Sequence, residues 1–383
     1  MRLKISRVLI FVLCMAASVC VRNVGLAQEM IGEMQVVYHA YKELQPYLAD
    51  SRSFLLPAND AKLRGLLKVL GDHFHQSRTI SSKFSKEPGF ASSLRLADEM
   101  LDDITFRFKE GKKGYALWRL RSLTNNCIGC HTTYNVELSF ADSSTPPAGL
   151  DLFQQGEFFF ASRQFIRAEN SFLQSLRDPA LSAQIFQSLS KLLVLYVRND
   201  RDPKKALSKI SELMPTLNLV ESEKSQANRW LESLKVWSLE APGDVSSLSD
   251  LRKLVNSSSN NMDLDSDNVD TVGLLRASSL LLELLVDKKL QAKDKSEILY
   301  LLGFCYSKLQ PFFVNELPEF YLEQCMMEFP GSNSAKASYE LYKELVTLGY
   351  TGSGGTEIPK DIELRLKELH DLSYQVPKME SRI

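Results

Sequence analysis

Between residues 29 and 124 the large apolar side chains fall three and four positions apart. The first set is Met30, Met34, Val37, Tyr41, Leu44 and Leu48, and the second is Leu63, Leu66, Leu67, Leu70 and Phe74. The third is Phe90, Leu94, Ala97, Leu101, Ile104 and Phe108, and the fourth is Leu117, Leu120 and Leu123. This spacing follows the 3.6-residue turn of a helix and does not fit the two-residue alternation of a strand. Phe54 to Pro57 separates the first set from the second, where Asn59 can cap the next helix. Pro88 and Gly89 precede the third set, and Gly111 and Gly114 punctuate the chain before the fourth. Four stripes joined by modest loops predict an up-and-down four-helix bundle over residues 28–142.

The N-terminus is of another kind. Arg2, Lys4 and Arg7 precede an apolar run of 14 residues, Val8 to Val21, and Gly25-Leu26-Ala27 offers small residues where a signal peptidase reads. The run is short of the roughly 20 residues a membrane span takes. Residues 1–27 therefore read as a signal peptide, with an uncleaved anchor as the alternative. Cys20 follows Ala17-Ser18-Val19, a poor lipoprotein box. No later segment approaches span length on this reading, so the mature chain is expected to be exported, periplasmic or beyond, and soluble. Arg2, Lys4, Arg7 and Arg22 leave with the peptide and no acid does, so 46 basic and 47 acidic residues become 42 and 47, a net of −5. That balance argues against a nucleic-acid partner, which needs a concentrated positive surface. The 356 residues left exceed one small core, and two or three domains are expected.

Four cysteines remain: Cys127, Cys130, Cys305 and Cys325. The first two lie in "NNCIGCHTTY", with His131 directly after the second. A thioredoxin-like pair needs a βαβ setting, and no strand–helix alternation surrounds this one. A zinc site needs about four ligands, usually two such pairs. Cys-x-x-Cys-His is the pattern of c-type haem attachment. The two thiols form thioethers with the haem vinyl groups, and the next residue places its imidazole under the iron. One covalent haem c is therefore expected on Cys127 and Cys130, with His131 as iron ligand.

A four-helix bundle with this motif near the end of its last helix, followed by Tyr134, resembles the cytochrome c-prime family. The resemblance covers about 110 of 383 residues. It implies a haem held inside the bundle, with helix one supplying the wall opposite His131. Low-spin relatives take a methionine from that helix, which makes Met34, and less so Met30, the candidate sixth ligand. Many relatives instead have an open iron. His39 falls about 200° around the helix from the stripe and is expected to face solvent. Many relatives also carry an arginine beside the haem on helix one, and none is found here. Arg119 and Arg121 could neutralise propionates, although two solvent-facing arginines are the plainer reading.

"SSTPPA", residues 143–148, is a linker by composition. Beyond it, Leu152, Gly156, Phe159, Phe165, Ala168 and Phe172 match the offsets of a tetratricopeptide helix pair, with small residues where two helices approach closely. Leu299, Leu302, Gly303, Tyr306, Leu322, Cys325 and Pro330 repeat the theme. Leu181–Val197 with Pro203–Met214, then Ser222–Leu239, Ser334–Leu348 and Lys360–Leu372, read as further helices. Residues 149–383 thus resemble a degenerate tetratricopeptide-like α-solenoid. Cys305 and Cys325 fall on paired helices, as buried thiols or as a disulfide. Asp263, Asp265 and Asp267 imitate a calcium loop, but Asn268 and Leu274 stand where it needs Gly and Glu, so a solvated loop is expected. "TGSGG", residues 351–355, lacks the lysine and strand of a phosphate loop and reads as a turn.

The first expectation for function is a one-electron carrier whose solenoid docks a redox or scaffold protein. The alternatives are a small-gas binding or sensing protein, and an assembly scaffold with a structural haem. No nucleophile–base constellation stands out, so an enzyme is not expected. His73, His75 and His370 read as exposed helix residues.

Overall fold

The computed structural model describes residues 28–84, 88–132, 145–241, 243–260, 262, 269–285, 289–310, 312–313 and 317–375, with backbone alone at 81–84 and 88–92. The expected signal peptide, Tyr134 and the aspartates at 263, 265 and 267 lie outside the described residues. Among those described, the chain is all-α. It has sixteen helices and one hairpin of two-residue strands, β1 (Thr351–Gly352) and β2 (Gly355–Thr356). The turn expected at "TGSGG" is thus the tip of that hairpin.

Four long helices carry the four apolar stripes: α1 (28–49), α3 (Asp60–Phe84), α4 (Pro88–Lys109) and α5 (Lys113–His131). The short α2 (Ser51–Leu55) is started by Asp50, whose carboxylate accepts the backbone N–H groups of Arg52 and Ser53. Leu44, Leu63, Leu70, Leu101 and Ile104 are fully buried. Each such side chain contributes about 1.5–3 kcal/mol by leaving water. Polar pairs fix the register between helices. The Tyr41 and Thr124 hydroxyls are 2.8 Å apart across α1 and α5, and Arg78 Nη1 donates to Asp98 Oδ2 at 3.0 Å across α3 and α4.

Two expectations about surface residues are corrected here. His73 is half-buried, with Nδ1 at 2.5 Å from Glu33 Oε2 of α1, because α3 turns that face toward α1. Arg119 has only 12% of its side chain exposed and reaches Asp103 at 3.6 Å, since α4 and α5 pack along that edge. Arg121 does face outward, donating to the Leu48 carbonyl. His39, His75 and His370 are exposed.

The second half is built from helix hairpins. In α6 (Leu152–Ala161) a capping box joins Asp151 and Gln154. It packs on α7 (Phe165–Ser175) through Gly156, where a Cβ would lie 2.5 Å from the Phe172 ring. The device recurs in α13 (Ala292–Lys308) and α14 (Leu317–Glu328), where a Cβ on Gly303 would meet Leu322 at 2.6 Å. Cys305 and Cys325 on this hairpin are buried thiols, and Cys325 Sγ donates to the Ser296 carbonyl. Between the hairpins run α8 (Ile185–Val194), α9 (Pro203–Leu213), α10 (Glu221–Ser238), α11 (Leu248–Ser258) and α12 (Thr271–Leu285). The last two close against α13, and α15 (Asn333–Gly349) and α16 (Lys360–Ser373) end the chain.

A π-helical turn, Leu195–Asp200, continues α8 and turns Arg198 inward. The helical run Pro179–Asp200 spans 22 residues and contains an 18-residue stretch of mean hydropathy 1.3, 56% of which is buried inside the fold. By length and composition it could cross a membrane, where no such later segment was expected.

Alanine at Gly303 should cost about 1–2 kcal/mol. Overpacking against buried Leu322 costs ~1–3 kcal/mol and outweighs the ~1 kcal/mol gain in helix propensity. At Gly65 of α3, where nothing lies within 4 Å of an added Cβ, only the propensity gain remains. Denaturant titration of the two variants should give shifts of opposite sign, and a shared sign would refute the close-approach account.

Candidate functional site

Cys127, Cys130 and His131 lie three and four positions apart in the last turns of α5, so the helix sets all three on one face. That face borders a partly open, apolar cleft with about 130 Å³ of free volume. From α1, Met30, Met34, Val37, Tyr38 and Tyr41 line the same cleft. Leu70 and Phe74 of α3 and Leu94 of α4 close the back. Met30 is buried and Met34 half-buried. The cysteines, the histidine and both methionines singled out in the sequence therefore share one apolar cleft.

The remaining wall comes from the second half of the chain. Ala161, Ser162 and Arg163, at the end of α6, line the cleft. His131 donates its Nδ1–H to the Ala161 carbonyl at 2.6 Å. That bond leaves Nε2 with its lone pair, the form in which imidazole binds a metal. Phe158, one turn earlier in α6, is 1% exposed and packs on Tyr38 and Tyr41 of α1, with ring centroids at 5.9 and 6.0 Å. Lys191 of α8 donates to Asn125 at 2.6 Å. Behind the motif, Phe313 lies 3.4 Å from where a Cβ on Gly129 would be. Arg198, 1% exposed, covers that ring at 4.8 Å and reaches the Tyr306 hydroxyl at 3.4 Å.

Burial sets the protonation of the motif. It pulls His131 down to about 4, aided by the charge of Arg163 and opposed by the bond to Ala161. It pushes Cys127 up to about 12, with Cys130 adding to the effect. Cys130 rises to about 11 through burial, while Arg163 and Arg198 pull it back. At neutral pH the face therefore presents a neutral imidazole and two protonated thiols. Both cysteines are free. Among the described residues, no group of three or more His, Cys, Asp and Glu is gathered to hold a metal ion by itself.

Arg119 and Arg121 do not line the cleft, and Arg163 is a cation that does. It lies 32 residues past His131, in a turn with no sequence link to the motif, so neither periodicity nor spacing could have found it. No family model, curated protein or solved structure matches this chain.

Proposed function

We propose that the chain is an exported c-type cytochrome that carries one covalent haem c and transfers single electrons, with its helical second half docking a redox or scaffold protein. The first half is read as a cytochrome c-prime-like bundle and the second as a tetratricopeptide-like solenoid. The observation that carries this reading is the convergence of two protonated thiols and an imidazole, tied through Nδ1, on one apolar cleft.

The residues present fit the group. Cys127 and Cys130 would hold the group through thioether bonds to its two vinyl substituents, and burial keeps both thiols in the protonated form that such an addition consumes. His131 would offer Nε2 to the iron while Ala161 holds its ring in place. The apolar walls from α1, α3 and α4 would exclude water. Bound haem supplies a one-electron iron couple, whose potential is set by axial ligands and burial. The protein is not read as an enzyme.

A pyridine haemochrome spectrum of the exported protein tests this directly. A c-type spectrum at one haem per chain is the expected result, and its absence defeats the reading.

Met34 lines the same cleft as His131 and is proposed as the sixth ligand. The ferric protein should then show a weak far-red methionine-to-iron band that Met34→Ala removes. If that band is absent or survives the substitution, and the reduced protein binds carbon monoxide rapidly, the iron is open and gas binding replaces electron transfer as the better function.

A further inference from the structure

One side of the cleft belongs to the half of the chain that carries none of the motif. Helix α6 ends at Ala161, and a helix leaves its last carbonyls without intrahelical donors. Two of these are taken by the turn that follows, in a Schellman arrangement: Phe159 accepts from Gln164 at 2.8 Å, and Phe160 from Arg163 at 3.1 Å. The Ala161 carbonyl takes the Nδ1–H of His131. The turn requires a left-handed residue at 163, where φ is 59°. Glycine is the usual occupant of that place, because a Cβ is strained there. Arginine stands there instead, and it lines the cleft with Cys130 and His131. A strained residue held where its side chain meets a functional site suggests that the side chain is the reason for the strain.

We propose that Arg163 is a positioning residue which sets the potential of the iron, reaching across from the second half of the chain. This rests on the haem reading. Ferric iron carries one positive charge more than ferrous iron, so a cation beside the site disfavours the ferric state and raises the potential. The turn that carries Arg163 also carries the His131 acceptor, so both influences on the iron move with the α6–α7 hairpin. The sequence pattern placed no cation beside this motif from the bundle; the fold supplies one from outside it.

The test uses full-length exported protein with Arg163 replaced by Lys, Gln or Gly. Haem content is read first by pyridine haemochrome, then the midpoint potential by redox titration. With haem retained, Arg163→Gln and Arg163→Gly should each favour ferric iron about tenfold, roughly 59 mV lower for a one-electron couple. Arg163→Lys should stay within about twofold of the parent. Arg163→Gly should also melt higher, since glycine relieves the left-handed backbone while the potential still falls. That split separates charge from structure. Haem-bearing Gln and Gly variants with the parent potential would overturn the inference alone. A lysine variant that shifts as far as the glutamine one would overturn it too. A parent protein without c-type haem would remove the functional reading and this inference together.

Discussion

Replacing both Cys127 and Cys130 by alanine is expected to leave the exported chain with no covalently held haem. Acidified organic extraction should carry every trace of haem away from the polypeptide, where the parent retains all of it. The effect is complete because a thioether either exists or does not. The single substitutions should each leave one link and a displaced α-band in the pyridine haemochrome spectrum. The thiols stand three residues apart on one face of α5, so on the proposed reading each would serve a separate vinyl group and neither could replace the other. Covalent haem in the double variant would defeat the attachment chemistry outright. A far-ultraviolet circular dichroism spectrum of the double variant should match that of the parent, which separates loss of attachment from loss of fold.

The second large effect is expected at Phe158. This side chain is 1% exposed, sits on α6, and meets the Tyr38 and Tyr41 rings of α1. Truncation to alanine should cost about 3–5 kcal/mol, from lost transfer and the cavity left behind. Domains of this kind have only ~5–15 kcal/mol in total. The loss should show as a lower urea midpoint. Because the ring joins the two halves, separate transitions for the haem band and the far-ultraviolet signal are expected where the parent shows one. Phe106→Ala is the control. At 55% exposure on α4 it should change stability by less than about 0.5 kcal/mol. Equal effects at the two positions would mean that the α6–α1 contact does not couple the halves.

The helices were legible because their cause is local. A stripe such as Leu63, Leu66, Leu67, Leu70 and Phe74 encodes its own period, and all five residues are buried. Gly156 and Gly303 were legible for a related reason: a helix pair that packs closely needs a residue without a side chain at a fixed offset. The short motif on α5 could be read because its geometry lies within one helical turn. What could not be read were features made by long-range packing. Helix α12 is hard to see in the sequence, since Thr271–Leu285 is apolar nearly all round and shows no clean stripe; α11 is short, and only Leu251 and Val255 of its apolar side chains are buried. Arg119 reads as solvent-facing because nothing in its neighbourhood reveals that Asp103 of α4 lies beside it. Arg163 and Ala161 escaped for the same reason on a larger scale. Their relation to His131 exists only once α6 has folded back over α1 and α5.

That fold-back bears on the order of assembly. The motif ends at His131, yet the wall that Ala161 and Arg163 provide is thirty residues further along the chain. Both thiols keep partial exposure and the cleft stays partly open, so on the proposed reading the prosthetic group could still enter after this wall is set. The imidazole that would receive the iron is by then already held through Nδ1. The second half would thus act as a jig: it fixes the ring before loading instead of sealing the site after it.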